Sequence, residues 1–191
     1  LELETIKSLS QFANLKFYAR FESGALTTDS SGEGHTLTDI GDPAEDASGK
    51  FGYACAFDGN DAYSAVNHAD FRPTGNFTIG AWVKTSNTGA LKLIFNSFNY
   101  TGNKFYGFYL IVLDSNNCRL LSGKGTGLVA GTDYQVVNGT TNVCDNSWHF
   151  VVGTWDGTHL KLYVDGTQEG GDVDWTNAPV YYSTNIVRVG G

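Results

Sequence analysis

The chain has 191 residues, 41% of them hydrophobic and only 17% charged, which supplies one ordinary domain core and too few charges for a disordered protein. With 24 glycines, 3 prolines and 14% aromatics it reads as an all-β domain. A formal net charge of −8 with no basic stripe argues against a nucleic-acid partner, and no apolar run is long enough for membrane insertion.

Residues 1–14, LELETIKSLSQFAN, place Leu3, Ile6, Leu9 and Phe12 at helical spacing and are expected to form a short helix or linker. The domain proper is expected over 15–191, with a first strand in LKFYARFE (15–22) and a loop over 23–50. FGYACAFDG follows, with Phe51, Tyr53, Cys55 and Phe57 on one face. DAYSAV, FTIGAWVKT and KLIFNSF are the next strands. In FTIGAWVKT, Phe77, Ile79, Ala81 and Val83 oppose Thr78, Gly80, Trp82 and Lys84. FYGFYLIVLD is apolar on both faces, as a central strand covered on both sides should be. CRLLSG and YQVVNG are expected to pair as a hairpin, followed by the two strands of WHFVVGTWDGTHLKLYVDG (148–166) and a last one in NIVRVGG. About ten short strands without an interior helix indicate a sandwich or barrel.

In the 148–166 hairpin, Trp148, Phe150, Val152 and Thr154 share one face, and His149, Val151, Gly153 and Trp155 the other. Trp148 is assigned to the core. His149 has no nucleophilic cysteine or second histidine at metal spacing, so a structural, hydrogen-bonded role is expected for it. Asp156-Gly157 and Asp165-Gly166 are turn dipeptides, the glycine accepting positive φ.

Three cysteines occur, without a Cys-x-x-Cys motif. If the two runs around Gly131 pair antiparallel and symmetrically about it, Cys118 and Cys144 face each other at a separation that suits a disulfide. Cys55 is then a buried free thiol. The alternative is three reduced cysteines.

Three stretches taken together, GKFGYACAFDGNDAYSAV (49–66), FTIGAWVKT (77–85) and NSWHFVVGTWDGTHLKLYVDG (146–166), resemble in order and spacing the laminin-G-like branch of the concanavalin A-like lectin/glucanase superfamily. The resemblance implies a jelly-roll sandwich of two antiparallel sheets. It also implies one more strand after the run containing Arg188, so the sheet is expected to be completed by residues beyond Gly191 or by a neighbouring subunit, as in a homo-oligomer.

The superfamily includes retaining glucanases, which need two carboxylates about 5 Å apart on one strand face. No Glu-x-Asp-x-Glu run exists; Asp172 and Asp174 are two apart but lie in a segment read as loop, so no enzymatic activity is expected. A glycan ligand would stack on aromatic platforms, and Trp82, Tyr106, Trp175, Tyr181 and Tyr182 are the candidates. Trp82 is open to a second reading, packed between the sheets or under a loop. Relatives often hold a structural calcium, which implies Glu22 as a first-strand ligand, with Asp29, Asp58, Asp39 and Asp61 as further acids in nearby loops; the last-strand acid has no match.

The expected function is a non-catalytic recognition module of a larger surface-exposed, extracellular protein, binding a glycan or a protein partner. The alternative is a structural component of an extracellular assembly, virion or fibre in which the domain makes subunit contacts.

Overall fold

The computed structural model describes residues 14–65, 68–183 and 186–191. The helix or linker expected over 1–14 lies almost wholly outside them. No helix among the described residues is long and apolar enough to cross a membrane.

The described residues contain fourteen strands in three antiparallel sheets. In chain order they are β1 (Leu37–Ile40), β2 (Ala44–Asp46), β3 (Ala54–Ala56), β4 (Ala62–Ala65), β5 (Phe77–Val83), β6 (Lys92–Asn96), β7 (Asn99–Thr101) and β8 (Lys104–Val112). Then come β9 (Cys118–Lys124), β10 (Tyr134–Asn138), β11 (His149–Trp155), β12 (His159–Val164), β13 (Thr167–Asp174) and β14 (Val187–Val189). The large sheet runs β1-β4-β14-β6-β8-β9-β10, with β7 pairing β8; the smaller runs β13-β12-β11-β5; β2 and β3 form a ribbon. The two larger sheets pack face to face around one core, the expected jelly-roll sandwich.

Alternation explains which residues fill that core. On β5, Phe77, Ile79, Ala81 and Val83 pack against it while Thr78, Gly80 and Trp82 are exposed, as the sequence pattern requires. β8 lies between β6 and β9, and its apolar run Phe108–Val112 is buried apart from the half-buried Tyr109. Phe77 stacks on Phe108 at 4.3 Å between ring centroids, joining the two sheets. Gly153 lets them approach: a Cβ there would lie 2.9 Å from Leu120 Cδ1. Trp155 Nε1 donates to the Trp175 carbonyl at 2.7 Å, and Trp175 Nε1 donates to Ser122 Oγ at 3.2 Å, so a polar relay crosses the core from β11 to β9.

Several expectations are corrected. Residues 15–22 form isolated bridges, Ala19 to Asp29 and Glu22 to Ala25, because Phe21 takes φ +53° and turns the chain back. The expected loop 23–50 holds β1 and β2. Only Ala54–Ala56 of the FGYACAFDG run is a strand, and Phe51 is 71% exposed. The segment containing Asp172 and Asp174 belongs to the edge strand β13, bulged where it meets β12. Trp148 precedes β11 and is half-buried; Trp155, on the opposite face, fills the core. The strand containing Arg188, β14, lies between β4 and β6, a placement that does not bear on the expected further strand.

The β9–β10 register also differs. Leu121 faces Val136, which places Cys118 opposite Gly139 rather than Cys144. Gly139 N–H donates to the Cys118 carbonyl at 2.8 Å. All three cysteines are free thiols; Cys118 and Cys144 are buried and Cys55 is half-buried rather than buried.

Candidate functional site

After β13 the chain crosses the core through Trp175 and returns over the start of β8 and the end of β9. Gly107 and Gly123 face each other there without side chains. The bare backbone receives Val180: Gly107 N–H donates to its carbonyl at 2.7 Å, and its own N–H donates to the Gly123 carbonyl at 3.1 Å. Gly107 has φ +72°, and a Cβ on it would lie 2.2 Å from the Ser97 carbonyl oxygen, so only glycine fits.

Pinning Val180 fixes the two residues that follow it. Tyr181 points inward, its ring edge-on to Phe108 with centroids 6.4 Å apart, and its hydroxyl donates to the Pro73 carbonyl at 3.0 Å. Burial pushes the Tyr181 phenol pKa up, so it stays protonated. Tyr182 stays 37% exposed and lies 5.4 Å from Tyr106 between ring centroids. Arg72 closes the arrangement: its Nη2 donates to the Tyr182 carbonyl at 3.0 Å, and its guanidinium lies 5.9 Å from the Tyr181 ring. Beside these groups is an open recess of about 500 Å3, lined by Ala69, Arg72, Thr74, Pro179, Val180 and Tyr181.

Three of the five expected stacking residues, Tyr106, Tyr181 and Tyr182, therefore come together. Trp175 does not join them; it is 2% exposed, a core residue with its indole N–H bonded, and offers no platform. Trp82 lies on the outer face of the smaller sheet, directly opposite Phe150 on β11. It is 38% exposed, but Lys50 Nζ sits 4.6 Å from its ring centroid and Phe51 meets it edge-on at 5.8 Å. A sugar would have to displace the ammonium from the indole face. Arg72 and Thr74 were not singled out in the sequence; FRPTG carries only a turn signal.

The acids read as calcium ligands do not converge. Glu22 pairs with Arg20 at 2.7 Å. Asp58 accepts the Asn60 N–H at 2.7 Å. Asp29 accepts from the Tyr18, Ser31 and His35 backbone N–H groups and from the Ser31 hydroxyl. Burial works to raise its pKa, yet these donors hold it below the ordinary value. Among the described residues one group of three has metal-ligand spacing, His35, His68 and Asp70, and it contains none of the expected acids.

His149 is hydrogen-bonded at both ring nitrogens: Nδ1 lies 2.7 Å from Asp165 Oδ2 and Nε2 lies 3.1 Å from Asp145 Oδ1. Asp172 and Asp174 are held by basic partners, Lys161 at 3.6 Å and His159 at 3.3 Å.

A laminin-G-type family model, described as the concanavalin A-like lectin/glucanases superfamily, matches residues 58–191. A search of curated proteins finds no match. Among solved structures, the binding domain of botulinum neurotoxin DC in complex with SialylT has a TM-score of 0.64 at 15% identity, over 93% of this chain. The alignment spans 44% of the toxin chain, less than half its length. Domain 4 of AbnA, an extracellular arabinanase from Geobacillus stearothermophilus, in complex with arabinotriose, has a TM-score of 0.63 at 15% identity, over 91% of this chain and 82% of that one. The CBM40 domain of the Ruminococcus gnavus IT-sialidase, bound to α2,3-sialyllactose, has a TM-score of 0.50 at 15% identity, over 64% and 67%. At these identities the likeness is one of fold.

Proposed function

The chain belongs to the laminin-G-like concanavalin A-like lectin/glucanase superfamily, and from that premise we propose that it is a non-catalytic recognition module of a larger surface-exposed, extracellular protein that binds a glycan. The observation that carries this reading is an open recess lined by Arg72, Thr74 and Tyr181, beside which Arg72 holds the Tyr182 carbonyl and the exposed Tyr182 ring lies 5.4 Å from Tyr106, residues far apart in the chain. The exposed Tyr182 ring offers a face on which a sugar can stack, and Arg72 and Thr74 offer polar groups that fix its orientation. The solved relatives described with bound sugars support a glycan over other small molecules. Against catalysis stand Asp172 and Asp174, already engaged by Lys161 and His159 on an edge strand.

A glycan array followed by titration of the best ligand tests the reading. Tyr182→Ala should weaken binding about tenfold, the upper end of what one aromatic contact contributes. Array silence, or binding unchanged in both Tyr182→Ala and Arg72→Ala, would overturn it. A second reading, a structural subunit in an assembly, rests on the exposed Phe51, Trp82 and Phe150 cluster beside the end strand β5. Array silence together with concentration-dependent assembly, lost in Phe51→Ser, would favour it.

A further inference from the structure

We propose that His35, His68 and Asp70 form a binding site for a zinc-class divalent transition ion. The site is separate from the glycan recess and does not depend on the glycan reading.

The three residues come from two stretches of chain. His35 lies in the turn before β1, and His68 and Asp70 lie at the start of the 3-10 turn Ala69–Phe71. Their ligand atoms all fall within 4.8 Å of one another. His35 Nε2 is 3.0 Å and His68 Nδ1 is 3.2 Å from the same oxygen, Asp70 Oδ2. Zinc bonds of about 2.0–2.1 Å in a tetrahedron set ligand atoms about 3.3–3.4 Å apart. Small outward shifts therefore bring both imidazole nitrogens to that spacing from Asp70 Oδ2.

The surroundings orient the donors as supporting groups do in metal sites. Asp29, through its hydrogen bonds to the Ser31 and His35 backbone N–H groups, holds the loop that presents His35. Lys16 Nζ lies 3.5 Å from Asp70 Oδ1, which leaves Oδ2 turned toward the imidazoles. The His35 ring packs with its centroid 4.8 Å from that of Phe71, which gives the site an apolar wall, and 4.7 Å from that of His68. His68 Nδ1 accepts the Asp70 N–H at 3.2 Å, a long hydrogen bond that a metal would replace.

Two imidazoles and one carboxylate suit a borderline ion such as zinc; calcium requires six or more oxygens. Three protein ligands leave a fourth position. A recess of about 340 Å3 lined by Glu33, Gly34, His35, Thr36 and His68 adjoins it. Water can complete the shell from there. Without metal, His35 Nε2 is hydrogen-bonded to Asp70 Oδ2, and His68 Nδ1 accepts the Asp70 backbone N–H.

The test uses the full, tag-free chain stripped with a chelator. Calorimetric titration with zinc chloride should show one equivalent bound, with a zinc-dependent rise in Tm. Cobalt(II) should give the intense visible bands of a four-coordinate ion. His68→Ala, at an exposed ring, and the isosteric Asp70→Asn should each weaken zinc binding at least about tenfold, while circular dichroism confirms that both fold. The proposal is overturned by the absence of binding or Tm shift at millimolar zinc, or by affinity unchanged in both variants. The weak absorption of octahedral cobalt, or an equal Tm shift with calcium, would overturn the assignment of the ion.

Discussion

The clearest residue-scale energetics belong to Glu169, a carboxylate that the sequence placed in an unremarked segment. It is buried on β13, yet it accepts hydrogen bonds from the backbone N–H groups and hydroxyls of both Thr140 and Thr141. Burial works to raise its pKa, and these donors outweigh it, holding the group down at about 2. A depressed folded pKa contributes stability that is present above the ordinary value of 4.5 and lost as pH falls toward 2. Glu169→Gln should cost roughly 2 kcal/mol near neutral pH. Tm measured against pH should show the two proteins converging in that acid window; a constant gap would contradict the assignment. His149 has the opposite sign. Burial lowers its pKa, but Asp165 and Asp145 outweigh that and raise it above 6.5. Its contribution is complete below 6.5 and is lost as pH rises through the higher folded value. The stability gap between wild type and His149→Gln should therefore shrink on the alkaline side, which denaturant melts at several pH values would show.

At the scale of elements, β8 and its neighbours decide what the recess contains. Gly107→Ala would force a Cβ into the Ser97 carbonyl at positive φ. It should cost on the order of 3 kcal/mol, since left-handed strain alone reaches that range. Because Gly107 N–H also holds the Val180 carbonyl, the variant should loosen Tyr182 as well. Lower Tm together with weaker glycan binding is the expected result; an unchanged Tm would mean that the close approach is relieved. The 148–166 hairpin shows a related point. Alternation separated Trp148 from Trp155, but it did not say which face was covered. The large sheet covers the Trp155 face of the smaller one and leaves Phe150 and Trp82 outside.

For the molecule as a whole, the cysteines test the topology. The observed β9–β10 register puts Gly139, not Cys144, opposite Cys118, and burial pushes the Cys118 thiol pKa up to about 12. Denatured without reductant, the protein should titrate three thiols; a single titrating thiol would restore the bridge. In the native state Cys118 and Cys144 should stay unreactive and Cys55 should react first, because the first two are buried and Cys55 is half-buried.

What the sequence determined by itself was everything that period and turn chemistry encode locally. The alternation of Phe77–Val83 placed its core face, the two-sided apolar run of β8 placed it centrally, and the Asp-Gly pairs placed both turns of the last hairpin, with Gly157 at φ +93° and Gly166 at φ +82°. The superfamily was legible because three such stretches occur in a characteristic order. Tertiary structure alone decided which distant residues meet. Tyr106 and Tyr182 are joined only because two facing glycines admit Val180, and His35 reaches His68 and Asp70 only because Asp29 folds its loop back. Trp175, a stacking candidate by sequence, is core for the same reason: a one-dimensional pattern gives the direction of a side chain, while its burial depends on what the rest of the chain packs over it.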